Sequence, residues 1–477
     1  MKTLFPSASP TPRTLQPRSI RAASLDAPAS GGGSGGQGSS TPGGLEKAIR
    51  DAGRARAQVL ESMTTTEIIE ILAAAAEAWT RPHYTARERL APMLAKELLM
   101  PRPVVERGLD SIFGVITRES LERMVAAEVD PREALDHAVD LGGGRRARLL
   151  GPRVVFHSLA GNIPGLGIPP IVSALLARSI CVLRDSQRQP WLTAAFVATL
   201  GEFSADLAAM VVPASWRAGD MGMEKLIFDL AHRVELSGSD TTMRSIVSRH
   251  PRRPIVARGS RLSVGVVPRE SDTDQWQEGF ATDLVQYEGL GCLSPHVIFV
   301  EGPERRAQRM ARLLGIQLSR HEALHPRLPR ELALESRRRA FVEGCEMSML
   351  RERGGQMLRG RGDGWVVHHR PLAPAAVGPG MRCVVVTAVS DRTDLVERLR
   401  AAELPLAGVG LALDPANKAY DELAGAFEKL GATWICAPGE MQRPPIEWAQ
   451  DGHRRLADLL EWRSASDRAG DRTGDRA

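Results

Sequence analysis

Residues 153–184 read RVVFHSLAGNIPGLGIPPIVSALLARSICVLR. The first seven form a short β-branched run, the signature of a strand. Gly161, Pro164, Gly165 and Gly167 then mark a loop. Residues 171–177 follow as an apolar, helix-like stretch, and residues 180–183 as a second apolar run. Strand, loop, helix and strand in immediate succession argue a parallel sheet covered by helices.

The same alternation runs outward. Residues 190–209 read as helix, 210–212 as extended, 223–232 as helix and 234–236 as extended. Ser237 and Ser239 are good N-caps for a helix over 241–249. Extended runs recur at 254–256 and 262–267. After Pro268 the pattern restarts with a helix over 272–288, a loop over 289–295 and a strand over 297–300. Basic helical stretches near 303–319 and 329–343 lead to the strand 381–389, then helix, strand, helix and a short strand at 434–436. Leu456, Leu459 and Leu460 mark a last helix.

The chain therefore reads as two α/β units with a boundary near Pro268, preceded by a helical region over 45–128. The first unit spans 45–267 and takes back 438–463, and the second spans 268–437. Residues 31–44 (GGGSGGQGSSTPGG) cannot bury enough apolar surface to order themselves, so 1–44 reads as a disordered extension. Its Arg- and Ser-containing, acid-poor composition only weakly resembles a transit peptide. Residues 464–477 read as a frayed tail.

Composition narrows the function. With 477 residues, 43% hydrophobic and 25% charged, the chain is an ordinary globular protein. Lys2, Arg13, Arg18 and Arg21 against Asp26 place most of the formal net charge of +5 in the N-terminal extension, which leaves no basic surface pointing to nucleic acid. The five cysteines, Cys181, Cys292, Cys345, Cys383 and Cys436, have neither metal-site nor secretory spacing and fit a reducing cytoplasm. The longest apolar stretch, 166–183, contains Arg178, Pro169 and Pro170 and is not a membrane span.

Three loops carry candidate chemistry. Cys292 lies in GLGCLSP (289–295), where small neighbours let a substrate and the backbone approach closely. It reads either as a nucleophile or as a small buried hydrophobe. The other four cysteines sit in apolar strand-like or helical runs and read as core. Asn162, at the end of the first strand, has an amide suited to an oxyanion or to an ordinary turn. Ser237, Gly238 and Ser239 between strand and helix are suited to a pyrophosphate or to simple capping. Glu288, four residues before Cys292, is a candidate proton donor, although a carboxylate at a helix end ordinarily lies in solvent. His157 reads as structural, the adjacent His368 and His369 as a poor metal pair, and 337–339 (RRR) as a solvated helix face.

Together, VFHSLAGNIPGLGIPPIVSALLARSICVLR (155–184), GCLSPHVIFVE (291–301) and GATWICAPGEMQRPPIEWAQDGHRRLADLLEW (431–462) resemble the acyl-CoA reductase family of the LuxC type. This is the fatty-acid reductase branch of the aldehyde dehydrogenase superfamily. The resemblance implies an aldehyde-dehydrogenase-like α/β fold, with a Rossmann-type cofactor domain and an α/β catalytic domain. It implies that Cys292 is the nucleophile and that Asn162, with the backbone N–H of Cys292, forms the oxyanion hole. Ser237, Gly238 and Ser239 then match the cofactor pyrophosphate loop. Arg184 stands where many relatives carry a Lys near the adenosine ribose; a cation there suits NADPH, while the neighbouring Asp185 leaves NADH open.

The chain departs from ordinary aldehyde dehydrogenases in two places. Their water-activating Glu lies in an ELGG-like segment, and the matching stretch here, VARGSRLS (256–263), has no carboxylate. Their E-x-F-G-P ribose motif is missing from 364–389. The implied activity is NADPH-dependent reduction of a fatty acyl thioester, acyl-CoA or acyl-protein, to the aldehyde, without a metal. A semialdehyde dehydrogenase with a short polar substrate and a catalytically degenerate binding subunit are the alternatives. By analogy with the family, an acyl-protein synthetase or acyl-transferase partner and a homo-oligomer are expected.

Overall fold

The structure is a computed structural model that describes residues 41–142, 145–161, 163–186, 191–217, 219–351, 355–370, 378–402 and 405–466. It opens on five helices: α1 (Pro42–Ser62), α2 (Thr65–Thr80), α3 (Thr85–Leu98), α4 (Arg102–Phe113) and α5 (Arg118–Glu128). Caps explain where they start. Thr64 and Glu67 satisfy each other's backbone N–H reciprocally at the head of α2, at 3.3 and 2.8 Å. Thr41 Oγ1 accepts from Gly44 N at 3.2 Å. With that cap and Pro42 at the first position, α1 begins inside the stretch read as linker, despite its two glycines.

Two short strands, β1 (Val139–Asp140) and β2 (Arg145–Leu150), lead to the first sheet. Its elements are β3 (Val154–Ser158), α6 (Ile168–Leu176), β4 (Ile180–Arg184), α7 (Trp191–Phe203), α8 (Ala205–Ala209), β5 (Val211–Ala214), α9 (Met221–Leu230), β6 (Arg233–Ser237), α10 (Asp240–Arg249) and β7 (Ile255–Arg258). The strands are parallel in the order β5-β4-β3-β6-β7. Strand order reverses between β3 and β6, the switch point beyond whose carboxyl ends such sheets leave a crevice.

The second sheet holds β8 (Leu262–Val267), α11 (Gln277–Val285), β9 (Val297–Glu301), α12 (Glu304–Leu324), α13 (Leu332–Arg351), β10 (Gln356–Arg359), β11 (Val366–Arg370), β12 (Cys383–Val389), α14 (Arg392–Ala401), β13 (Leu406–Leu411), α15 (Tyr420–Lys429) and β14 (Trp434–Cys436). Its order is β10-β11-β12-β9-β8-β13-β14, parallel except for β10. The boundary expected near Pro268 comes one strand late. β8 pairs with β9 and β13, so the change of sheet lies at 259–261. All six residues of β8 are buried, so its sequence has no polar face to show which sheet it joins.

The chain's end returns to its beginning. Ile446, Leu456 and Leu459 share a core with the N-terminal helices and the first sheet. The N–H groups of Leu456 and Ala457 both donate to Glu128 Oε2, at 2.7 and 2.8 Å. The helix expected from Leu456, Leu459 and Leu460 is a single turn, Ala457–Leu459, followed by β15 (Glu461–Ser466). β15 pairs antiparallel with β2, which satisfies the free edge of that strand and orders three residues of the stretch read as tail. A second correction concerns the 337–339 run. Arg337 and Arg339 are exposed, but Arg338 turns inward, 5% exposed, and donates to the carbonyls of Met381 and Asp363.

Candidate active site

Cys292 is exposed, whereas the other four cysteines are buried. It follows a kinked turn, Gln286–Gly289, in which Tyr287 (φ 53°), Glu288 (φ 58°) and Gly289 (φ 66°) are left-handed. Such a conformation costs about 1–3 kcal/mol for each non-glycine residue and persists only where its surroundings hold it. Here the Tyr287 hydroxyl donates to Gly108 O at 3.3 Å, and Arg382 Nη2 donates to Glu288 Oε1 at 2.7 Å. Arg382 also donates to Glu322 Oε2 at 2.6 Å and to His325 O at 2.9 Å. Glu288 is therefore a fully buried ion-pair partner rather than a solvated carboxylate, and it does not line the cavity described next.

The backbone of Cys292 is clamped from the second sheet. Ser263 Oγ on β8 donates to Cys292 O at 2.8 Å and accepts from Gly408 N on β13 at 3.1 Å. Gln442 Nε2 donates to Ser294 Oγ at 3.0 Å. A Cβ on Gly291 would lie 2.4 Å from Gln442 Oε1, so a larger residue there would have to displace that amide. Gln442 is itself placed by Asp283, which accepts from Gly439 N and Met441 N at 2.6 and 3.1 Å.

Cys292 opens on a cavity of about 800 Å³, the size of a cofactor or drug-sized ligand site. The carboxyl ends of β3 and β6 supply His157, Glu235 and Ser237–Ser239 to one side. Ser239 caps α10, accepting from Thr242 N at 3.3 Å. The link 259–261 with Arg258, and the C-terminal return with Trp448, Asp451 and Arg455, form another wall. Ile112, Val115, Leu166 and Pro169 give it an apolar side.

The charges are paired across this cavity. Glu235 accepts from Arg258 Nη1 at 2.8 Å and lies 3.7 Å from His157. Burial opposes its ionisation, but His157, Arg258 and Arg233 prevail and hold it near 2. Burial pushes His157 down to about 4, against the pull of Glu235, so it is neutral at pH 7 and structural, as its sequence context implies. Asp451, in a left-handed turn (φ 59°), lies 2.9 Å from Arg261 Nε and 4.0 Å from Arg258 Nε. Although Cys292 meets the cavity, enclosure by its walls raises the thiol to about 11; Asp451 adds to the rise, and Arg455 opposes it. Burial, then Arg258, lowers Arg455 to about 10.

A family model described as acyl-CoA reductase (LuxC) matches residues 60–462. The chain belongs to this family.

Among curated relatives, the long-chain acyl-protein thioester reductase 2 of Photobacterium leiognathi is 20% identical over 405 residues, 84% of this chain and 82% of the relative. The long-chain acyl-protein thioester reductase of Aliivibrio fischeri is 24% identical over 250 residues, 51% of this chain and 50% of the relative. Among solved structures, an NAD-dependent benzaldehyde dehydrogenase from Corynebacterium glutamicum superposes with a TM-score of 0.66 at 14% identity, covering 89% of this chain and 90% of the other. Glyceraldehyde-3-phosphate dehydrogenase GapN from Methanocaldococcus jannaschii, complexed with NADP, gives 0.65 at 12% identity, covering 89% and 94%. The fold is that of aldehyde dehydrogenases, as the resemblance implied. The chain is an oxidoreductase that takes an acyl group to the aldehyde. Among its described residues, no helix is long and apolar enough to cross a membrane, and no group of three or more His, Cys, Asp or Glu is placed to hold a metal ion.

Of the site residues expected from the sequence, Cys292, Ser237, Gly238 and Ser239 line the same cavity. Asn162 lies outside the described residues; its neighbours Gly161 and Ile163 line the cavity. Arg184 ends β4 but does not line it. Its guanidinium donates to Trp216 O at 3.1 Å and to Ser158 Oγ at 3.4 Å, and lies 5.1 Å from the centroid of the Trp216 ring. Burial raises the adjacent Asp185 to about 7.

Sequence reading assigned no role to Arg258, Arg261, Asp451 and Arg455. Arg258 had a signal: like Ser237, it ends a parallel strand at the carboxyl edge, where ligands bind. Asp451 had none, because only the return of the chain brings it to Arg261.

Proposed function

We propose that this protein reduces a fatty acyl thioester, carried by CoA or by a protein, to the aldehyde with NADPH through an acyl-enzyme on Cys292. The observation that carries the reading is the shared cavity: the exposed Cys292 and the Ser237–Ser239 loop face one space, with no carboxylate in residues 256–263. The relatives named long-chain acyl-protein thioester reductases and the apolar side of the cavity support a long acyl chain over a short polar one.

The residues fit a nicotinamide cofactor. Ser237, Gly238 and the capped N-terminus of α10 would hold its pyrophosphate, where backbone N–H groups and the helix dipole favour an anion. Arg184, at the end of β4, is the cation through which the family resemblance suggests a 2′-phosphate and so NADPH over NADH; its guanidinium is bonded to Trp216 O and lies outside the cavity lining, so this preference rests on the resemblance. When bound, the cofactor supplies the hydride that reduces the acyl carbon.

The chain supplies the rest. The Cys292 thiolate attacks the thioester carbonyl, and the donor thiolate leaves with the proton that Cys292 gave up. The backbone N–H of Cys292 and the amide of Asn162 stabilise the oxyanion of each tetrahedral species. After reduction the thiohemiacetal oxyanion expels the Cys292 thiolate and releases aldehyde, and the thiolate takes up a proton from solvent, which replaces the one that left with the donor thiol. A thiolate is both nucleophile and leaving group here, so the cycle needs no water-activating carboxylate.

The test is to incubate the purified protein with NADPH or NADH and with acyl-CoA and acyl-protein thioesters of several chain lengths, following cofactor oxidation and aldehyde. The expected result is aldehyde formed one-for-one with oxidised NADPH, fastest with long chains. No aldehyde from any thioester, with brisk oxidation of free aldehyde to acid, would overturn the proposal in favour of a dehydrogenase.

A further inference from the structure

The walls around Cys292 contain carboxylates after all. Among the described residues lining the cavity, these are Glu235, Glu331 and Asp451. Glu331 is exposed. Glu235 is bound by Arg258 at 2.8 Å. Asp451 is the informative one. Its side chain is only 7% exposed, on a turn that places a non-glycine residue at φ 59°. It faces the same cavity as Cys292, and its partner is Arg261 Nε at 2.9 Å. Its charge also reaches the sulfur, since it adds to the rise of the thiol.

A free carboxylate beside an acyl-enzyme is a general base. It would take a proton from water as the water oxygen bonds to the acyl carbon. The carbon–sulfur bond would then break and the Cys292 thiolate would recover a proton, giving carboxylic acid and free enzyme with no electrons transferred. General-base assistance of this kind is worth about 10²–10⁴-fold. A carboxylate oxygen that a neighbouring guanidinium already engages is less open to a water, because the cation occupies the side from which the water would hand over its proton.

We infer that Arg261 is a positioning residue that decides the fate of the acyl-enzyme: by holding Asp451 in an ion pair it denies water a base, so that the acyl group leaves as aldehyde rather than as acid. Arg258, 4.0 Å from the other Asp451 oxygen, supports the same arrangement while occupied with Glu235. The inference rests on the acyl-enzyme reading above.

The test uses the full chain loaded with a long-chain acyl-CoA in the absence of nicotinamide. Protein-bound acyl group is followed by mass spectrometry, and free fatty acid is quantified over time. Wild type should lose its acyl group slowly. Arg261→Gln should release acid at least about tenfold faster and, with NADPH added, shift product from aldehyde toward acid. Arg261→Lys keeps a charge without the guanidinium Nε that meets Asp451 and should fall between the two. Adding Asp451→Asn to Arg261→Gln should return acid release to the wild-type rate. Unchanged acid release in both Arg261 variants, or fast release that survives Asp451→Asn, would overturn the inference. Absence of any adduct on Cys292 of the wild type would instead remove the acyl-enzyme reading beneath it.

Discussion

Cys292→Ala should lose at least about 10⁴-fold in thioester reduction, because an enzyme that works through a covalent intermediate has no second route once its nucleophile is gone. No other cysteine is placed to substitute. Cys181, Cys345, Cys383 and Cys436 are buried, and none of them lines the cavity on which Cys292 opens. The backbone of the loop should stay in place, since Ser263 and Gln442 hold its main chain and Ser294, not the thiol. The Ser237–Ser239 loop belongs to the other sheet. The variant should therefore be protected against heat by NADPH to the same extent as the wild type, since a ligand that binds only the native state stabilises it. The check is a pair of measurements, turnover with a long-chain acyl-CoA and the melting midpoint with and without NADPH. Activity within tenfold of wild type would show that the sulfur is not the nucleophile.

The second large effect concerns stability. Arg382→Met should destabilise the protein by about 3–5 kcal/mol, the usual cost of breaking a buried ion pair from one side. The guanidinium joins Glu288 at 2.7 Å and Glu322 at 2.6 Å. Glu288 is 1% exposed, and its second oxygen has no hydrogen-bond partner. Without Arg382 that carboxylate is left buried and uncompensated, in a turn whose left-handed backbone already costs free energy. Such a loss is a large part of the roughly 5–15 kcal/mol that holds most proteins folded. It should appear as a clear drop in the midpoints of heat and guanidinium unfolding. Arg382→Met combined with Glu288→Leu should recover much of it, because a well-packed apolar pair can replace a buried ion pair at little cost. A drop of less than about 1 kcal/mol in the single variant would mean that this pair does not brace the cysteine loop.

Local patterns made much of this legible from sequence. The run 153–184 gave β3, α6 and β4 nearly at their observed limits, and Pro169 and Pro170 sit where a helix tolerates them, in its first turn. Ser239 caps α10 as its position before the helix required. The errors share one cause, which is that distant partners decide them. β8 is buried on both faces, and only its pairing with β9 and β13 assigns it to the second sheet. The spacing of Leu456, Leu459 and Leu460 imitates a helix until the open edge of β2 recruits β15. Arg338 looks solvated beside two exposed arginines until the Met381 and Asp363 carbonyls meet it. Glu288 is the same case at the site itself, because its buried partner lies 94 residues further along the chain.

The most direct measurement of the central claim is peptide mass spectrometry of the protein mixed with a long-chain acyl-CoA, before and after NADPH is added. The account requires an acyl group on the peptide that contains Cys292, and its disappearance on adding NADPH with release of an equal amount of aldehyde. No adduct on that peptide, or an adduct that NADPH converts to free acid rather than aldehyde, would contradict it.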